Sequence, residues 1–282
     1  MIFDPRPCEL GEGPLWHPER GQLFWFDILN RKLLSRDASG PLEWTFTEIV
    51  SAAGWISRDE LLIASESGLS TFHLTTGARE TVVTAGSPAT RSNDGRADRQ
   101  GGFWFGTMGK RAEKGAGAIW RWYRGELRKL FPDLTIPNAI CFTPDGTAAH
   151  FTDTVTGKVM KVALDAAGWP KAAPEIWLDL SGEDLNPDGA VTSADGTFWN
   201  AQWGAGRIAA YAPDGRFLRA IAVPGAPQTS CPAFGGAEMT TLHVTTALEH
   251  MDAASRVAHP ASGRVFAFAD VAKGITEPQV QI

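Results

Sequence analysis

The chain has 282 residues, 43% apolar and 21% charged, with 30 Gly, 18 Pro, 11 Trp and a formal net charge of −6. With a sequence pI near 5.5 it lacks the basic footprint that phosphate recognition needs, so no nucleic-acid partner is expected. No apolar run approaches the roughly 18–20 residues that span a bilayer, so no membrane partner is expected either.

The first residues, MIFDPRPCELGEG, show no basic segment leading into an apolar one, as a secretory signal would. Cys8, Cys141 and Cys231 are odd in number and far apart, forming neither a zinc pattern nor a disulfide framework. Both features fit a reducing cytoplasm, the expected location.

Along the chain one phrase recurs: a turn of Asp, Gly or Pro, a short β-rich run, then a polar residue. It reads HPERGQLFWFD (17–27), SRDELLIASE (57–66), DRQGGFWFGTM (98–108), PDGTAAHFTD (144–153), ADGTFWNAQ (194–202) and FGGAEMTTLHVTTA (234–247). The spacing of roughly 40–50 residues is that of a four-stranded propeller blade. Further strands are predicted between the phrases at KVMKVALD (158–165), RIAAYAPDGR (207–216) and GRVFAFAD (263–270), which alternate at the strand period. Only RAEKGAGAIWRW (111–122) offers the start of a helical turn, which its glycines end. With no linker or shift in composition, residues 1–282 are expected to form one domain. The expected fold is all-β, a six-bladed β-propeller with four-stranded antiparallel blades, whose closed ring leaves no exposed sheet edge. The chain has no Trp-Asp dipeptide, which speaks against a WD-type scaffold.

Polar residues stand in four places where a packing strand would carry an apolar one. Glu12 lies between two glycines in LGEGPLWHP, and Asn93 and Asp94 lie in RSNDGRAD, which is also an ordinary tight-turn signal. Asn138 follows Pro in IPNAICFTPDG, and Asp188 follows Pro in NPDGAVTSADG. The last two sit at the same offset before a repeat turn, as expected of equivalent positions facing one central channel. Each could separately be an exposed loop residue. Together, Glu12, Asn138 and Asp188 make an all-oxygen set suited to a hard divalent cation. The six histidines are scattered without ligand spacing, and no serine-nucleophile motif occurs.

These phrases, with FGGAEMTTLHVTTA, closely resemble the senescence-marker-protein/gluconolactonase/luciferin-regenerating-enzyme-like family, which includes regucalcin and bacterial sugar lactonases. The resemblance runs from about residue 9 to residue 270. It implies a six-bladed propeller with one divalent metal on its axis, calcium foremost, with zinc, manganese, magnesium or iron as alternatives. By motif it makes Glu12, Asn138 and Asp188 the metal ligands and Arg91 and Asn93 substrate contacts. Asp188 becomes the general base for a water that attacks the lactone. Because a metal depresses the pKa of a ligand carboxylate, metal-bound hydroxide is an equal possibility.

The implied reaction is opening of a pentono- or hexonolactone to its aldonic acid, and the implied state is a monomer or weak homo-oligomer. A calcium-binding regulatory protein of regucalcin type is the alternative. Two departures stand out. Ala139 replaces a frequent Gly after the Pro-Asn, tolerable if the backbone angle there is ordinary. The segment GKRAEKGAG (109–117) is basic where animal members carry acids. If it rims the pocket, Lys110 and Arg111, with Lys114 nearby, would attract an anionic or strongly hydrogen-bonding lactone.

Overall fold

A computed structural model describes the whole chain, Met1–Ile282. Twenty-four strands, numbered β1–β24 in chain order, form six four-stranded antiparallel sheets arranged as the blades of a propeller. Each blade begins with an innermost strand: β2 (Gly11–His17), β6 (Val50–Ser57), β10 (Thr90–Ala97), β14 (Pro137–Phe142), β18 (Asn186–Thr192) and β22 (Thr229–Gly235). These six contact one another around the ring, β22 closing on β2. The sixth blade takes its outermost strand from the other end of the chain, since β1 (Ile2–Asp4) pairs with β24 (Val265–Phe268). The ring is thus shut by a hydrogen-bonded seam between the chain termini, and no helix is long and apolar enough to cross a membrane.

The recurrent phrase is the turn and second strand of each blade: β3 (Gln22–Asp27), β7 (Glu60–Ser65), β11 (Phe103–Gly109), β15 (Ala148–Asp153), β19 (Phe198–Trp203) and β23 (Thr241–Thr246). These runs are apolar because both faces are covered. In β3, Phe24 and Phe26 point toward blade two, whereas Leu23 and Trp25 point toward blade six. Six apolar clusters result, one in each gap between neighbouring blades. Each fully buried Phe contributes on the order of 1.5–3 kcal/mol. The helical turn expected at 111–122 does not form: residues 111–116 are an irregular connection and Gly117–Tyr123 is a strand.

The innermost strands depart from regular pairing at matching points. Register breaks between Glu12 and Leu15, Val50 and Ala52, Ser92 and Gly95, Asn138 and Cys141, Pro187 and Ala190, and Thr229 and Pro232. A bulge frees backbone groups from the ladder and re-aims side chains. Polar side chains then stitch neighbouring blades through those freed groups. Asp94 accepts from the Ile140 amide at 2.8 Å, Asn93 donates to the Pro137 carbonyl at 3.0 Å, and Thr154 donates to the Pro187 carbonyl at 2.8 Å.

One end of the channel is sealed. The C-terminal segment, residues 271–282, has no strand but crosses several blades, with Gly274 bonded to Met239, Lys273 to Ala194, Val280 to Trp55 and Gln281 to Gly101. It places the Glu277 carboxylate against the Arg96 guanidinium, which also reaches the carbonyls of Ala190 and Pro232 from blades five and six.

Candidate active site

The other end of the channel opens into a cavity of about 530 Å³, within the range of small-molecule sites. Blade one contributes Glu12, blade three Arg91 and Asn93, blade four Asn138 and Thr154, blade five Asp188 and Trp203, and blade six Glu249. Glu12, Arg91, Asn93, Asp94, Asn138 and Asp188 are all buried, between 2% and 6% exposed. The exposed-loop alternatives for these residues therefore fall away. Asn93-Asp94-Gly95 is likewise not a turn; it lies inside β10, at the bulge.

A chain of hydrogen bonds fixes the amides. Arg91 Nη1 donates to Asn93 Oδ1 at 2.8 Å and to the Ser92 carbonyl at 2.9 Å. Asn93 Nδ2 donates to Asn138 Oδ1 at 2.8 Å, and Asn138 Nδ2 donates to Thr154 Oγ1 at 3.0 Å. This order orients the Asn138 oxygen and leaves one of its lone pairs for a ligand. Arg91 Nε and Nη2 have no protein acceptor, and Arg91 lines the cavity.

The acids stand differently. Glu12 Oε2 accepts only from the Gly13 amide, at 2.8 Å. Burial, and then the nearby charge of Asp94, push Glu12 up to about 8. Burial together with Glu12 and Asp94 raises Asp188 well above the usual carboxylate range. Asp94 is also raised by burial, but Arg96 and two backbone amides oppose the shift. Burial lowers the Arg91 pKa against the opposing pull of Glu249, Glu12 and Asp188.

Crowded, water-poor carboxylates resist ionising together. A divalent cation would relieve that repulsion, and Glu12, Asp188 and the Asn138 oxygen are hard donors of the right kind. The residues present thus fit such an ion. Beneath Asp188, Asn200 Nδ2 holds the carbonyls of Asp188 and Gly189 at 2.9 and 3.2 Å, while its Oδ1 is buried without a partner.

Lys110 and Arg111 line the same cavity, so the basic segment does rim it; Lys114 does not line it. Lys110 Nζ lies 3.4 Å from Glu66 and Arg111 Nε 3.2 Å from Glu113. Ala139 has φ +56°, so the condition of an ordinary backbone angle is not met. The sequence offers no motif for Thr154, Trp203 and Glu249 as site residues, and it leaves Asp94 between an inward-facing polar position and an ordinary tight turn. For Asp94 a signal existed, its place in a polar phrase equivalent to the other three. Trp203 and Glu249 stand at the ends of second strands or beyond, with no motif around them.

The family model "SMP-30/Gluconolactonase/LRE-like region" matches residues 10–248. A Rhizobium meliloti (strain 1021) protein named "Putative sugar lactone lactonase" is 42% identical, over 97% of this chain and 94% of its own length. The L-arabinolactonase of Azospirillum brasilense is 33% identical, over 94% of this chain and 90% of its own. The crystal structure of a calcium-binding protein, regucalcin, from Agrobacterium tumefaciens superimposes with a TM-score of 0.97 at 40% identity, covering 100% of this chain and 97% of that one. The chain belongs to the SMP-30/gluconolactonase/LRE-like family.

Proposed function

We propose that this protein is a metal-dependent hydrolase that opens a sugar-acid lactone, a pentono- or hexonolactone, to the aldonic acid. The chain is an enzyme of the sugar-lactonase class. The observation that carries the metal-dependent reading is the convergence of Glu12, Asn138 and Asp188 from three blades, as buried oxygens whose two carboxyls are held out of their usual pKa range. A bound divalent cation would supply Lewis acidity toward the lactone carbonyl.

The chain's own groups supply the rest. Asp188 takes a proton from the attacking water as its oxygen bonds to the carbonyl carbon. When the ring carbon–oxygen bond breaks, the proton passes to the departing ring oxygen. Arg91, through its unused Nε and Nη2, and Asn93 orient the substrate oxygens, and Asn93 itself is held by Arg91 and Asn138. Thr154 keeps the Asn138 amide from rotating.

The test is acid release from a panel of sugar lactones by protein stripped of metal and reloaded with single cations. Activity confined to a subset of lactones and lost on chelation is expected; turnover indifferent to chelation would sink the metal-dependent reading. A calcium-binding regulatory role is the second reading, favoured by the calcium-binding relative of Agrobacterium tumefaciens. Inactivity on every lactone together with tight calcium binding would favour it. A single domain acting in the cytoplasm as a monomer or weak homo-oligomer completes the proposal.

A further inference from the structure

We propose that the substrate is itself an anion: a sugar lactone that carries a carboxylate remote from the reacting carbonyl, as an aldaric-acid lactone does. The inference rests on the lactonase reading above and concerns how the charges around that cavity are distributed.

Every Lys or Arg lining the cavity comes from blade three or the turn that follows β11: Arg91, Lys110 and Arg111. The acids lining it are Glu12 and Asp188, which a divalent cation would neutralise, and Glu249. With the cation in place, three positive side chains face one remaining carboxylate. A chain of net charge −6 thus presents a cationic sector at the mouth of its own site, opposite in sign to the molecule as a whole. Such a focused field attracts anions and repels cations.

Arg91 is the built part of this sector. It lines the cavity and is 6% exposed, its Nη1 is committed to Ser92 and Asn93, and its Nε and Nη2 have no protein partner. A guanidinium edge offering two parallel donors matches a carboxylate. With no protein acceptor to displace, those donors are free to pair with an anionic substrate. Lys110 and Arg111 add an outer, more solvated shell. The partners Glu66 and Glu113 do not line the cavity, so a carboxylate bound within it meets the two cations and not those acids. Hydrogen bonds of the turn, two within the backbone and one to Glu113, fix where the two cations stand. The Lys110 amide donates to the Ala89 carbonyl, the Arg111 amide to Glu113 Oε2, and the Ala112 amide to the Gly109 carbonyl.

The test uses a matched pair that differs at one carbon: a hexaric-acid monolactone, with a free carboxylate at the far end, and the corresponding hexonolactone, with a hydroxymethyl group there. Metal-loaded protein is expected to favour the carboxylate-bearing lactone about tenfold or more in kcat/KM at low ionic strength. The preference should shrink as salt is raised, because the outer cations are screened. The Lys110→Ala/Arg111→Ala double variant should lose most of the preference, chiefly through KM. Binding of the two ring-opened acids, measured by calorimetry, gives a second readout, the dianion binding more tightly and with the steeper salt dependence. Preference for the neutral lactone, or a preference unmoved in the double variant, would overturn the inference while leaving the lactonase reading intact. Turnover of neither lactone, with the dianion still favoured in binding, would support anion recognition and overturn hydrolysis of six-carbon lactones. No turnover and no discrimination would overturn both.

Discussion

Arg96 and Glu277 meet at the sealed end of the channel, and Glu12 and Asp188 meet near its open end, two buried charge clusters around one axis. In the first, burial opposes the Arg96 charge, but Glu277 together with Asp94 and other nearby groups outweighs it and the pKa is raised, so the guanidinium stays charged. In the second, burial and like charge act in the same direction and the acids are driven toward neutrality. Asp94, on the same strand between Arg91 and Arg96, belongs to both and is shifted less decisively because Arg96 and the Ile140 amide hold it. The balanced cluster closes the fold. The unbalanced one keeps two carboxyls out of their usual range, which is the feature on which the proposed metal-dependent reading rests.

The largest effect expected from breaking this contrast is at Asp188. Asp188→Asn keeps the shape and removes the proposed base, so kcat/KM on the preferred lactone should fall by roughly a thousandfold or more, several kcal/mol of transition-state stabilisation. The same change should raise the stability of the metal-free protein in urea unfolding, since it removes one of two repelling carboxyls. Loss of activity accompanied by loss of stability would mean that the cluster is structural after all.

Glu277→Ala should do the reverse. It strands the Arg96 guanidinium in the channel, and removing one partner of a buried pair costs about 3–5 kcal/mol. Urea unfolding should show that loss, with metal-site affinity changed far less than by Asp188→Asn. An unaltered midpoint would show that the tail contributes nothing to closure.

The pH profile of the metal-free protein offers a subtler test. Glu12 is raised from 4.5 to about 8, so the native state keeps a proton that the unfolded chain releases, and stability falls as pH rises through that interval. His150, buried against Trp177 and Phe198 with neither ring nitrogen partnered, is lowered from 6.5 to about 3, chiefly by burial. There the unfolded chain takes the proton first, and stability falls as pH drops from 6.5 toward 3. Thermal unfolding should therefore peak near pH 5–6 without metal. A saturating divalent cation should flatten the alkaline limb alone, and His150→Leu should lessen the acid limb without abolishing it, because His243, lowered to about 4 by burial, shares it. A tenfold difference in proton affinity between the folded and unfolded chain is worth about 1.4 kcal/mol.

What could be read in the sequence divides along the same radial line. The second strands were legible because burial on both faces makes them continuous apolar runs, as in QLFWFD (22–27). The innermost strands were half legible. GEGPLWH and TRSNDGRA look like loops because their bulges call for Gly and polar residues, and their backbone groups are satisfied by neighbouring blades instead of by local turns. Asn138 and Asp188 stood out by a shared offset before a repeat turn, and Glu12 by its place between two glycines. The tail was not legible. Glu277 meets its partner 181 positions away, and three residues of β1 give no sign that they complete the last blade.

The smallest effect is expected at Ala139, where the comparison becomes one between two bulges. Gly13 and Ala139 each follow a predicted ligand and each has a left-handed backbone, with φ +54° and +56°. At Gly13 an added Cβ would lie 2.2 Å from the Ser51 carbonyl oxygen, so glycine is required by space as well as by angle. At Ala139 the methyl is fully buried in the apolar cluster between blades four and five. The left-handed angle costs alanine roughly 1–2 kcal/mol. Ala139→Gly would relieve it while losing a buried methyl, worth about 0.8 kcal/mol, and loosening the unfolded chain by about 0.4–1 kcal/mol. The terms nearly cancel, so stability should move by less than about 1 kcal/mol in urea unfolding. Activity should stay close to wild type, because the Asn138 amide is held by Asn93 and Thr154 independently of the residue that follows it. A large loss of activity on this substitution would mean that the alanine methyl, and not the hydrogen-bond chain, sets the position of Asn138.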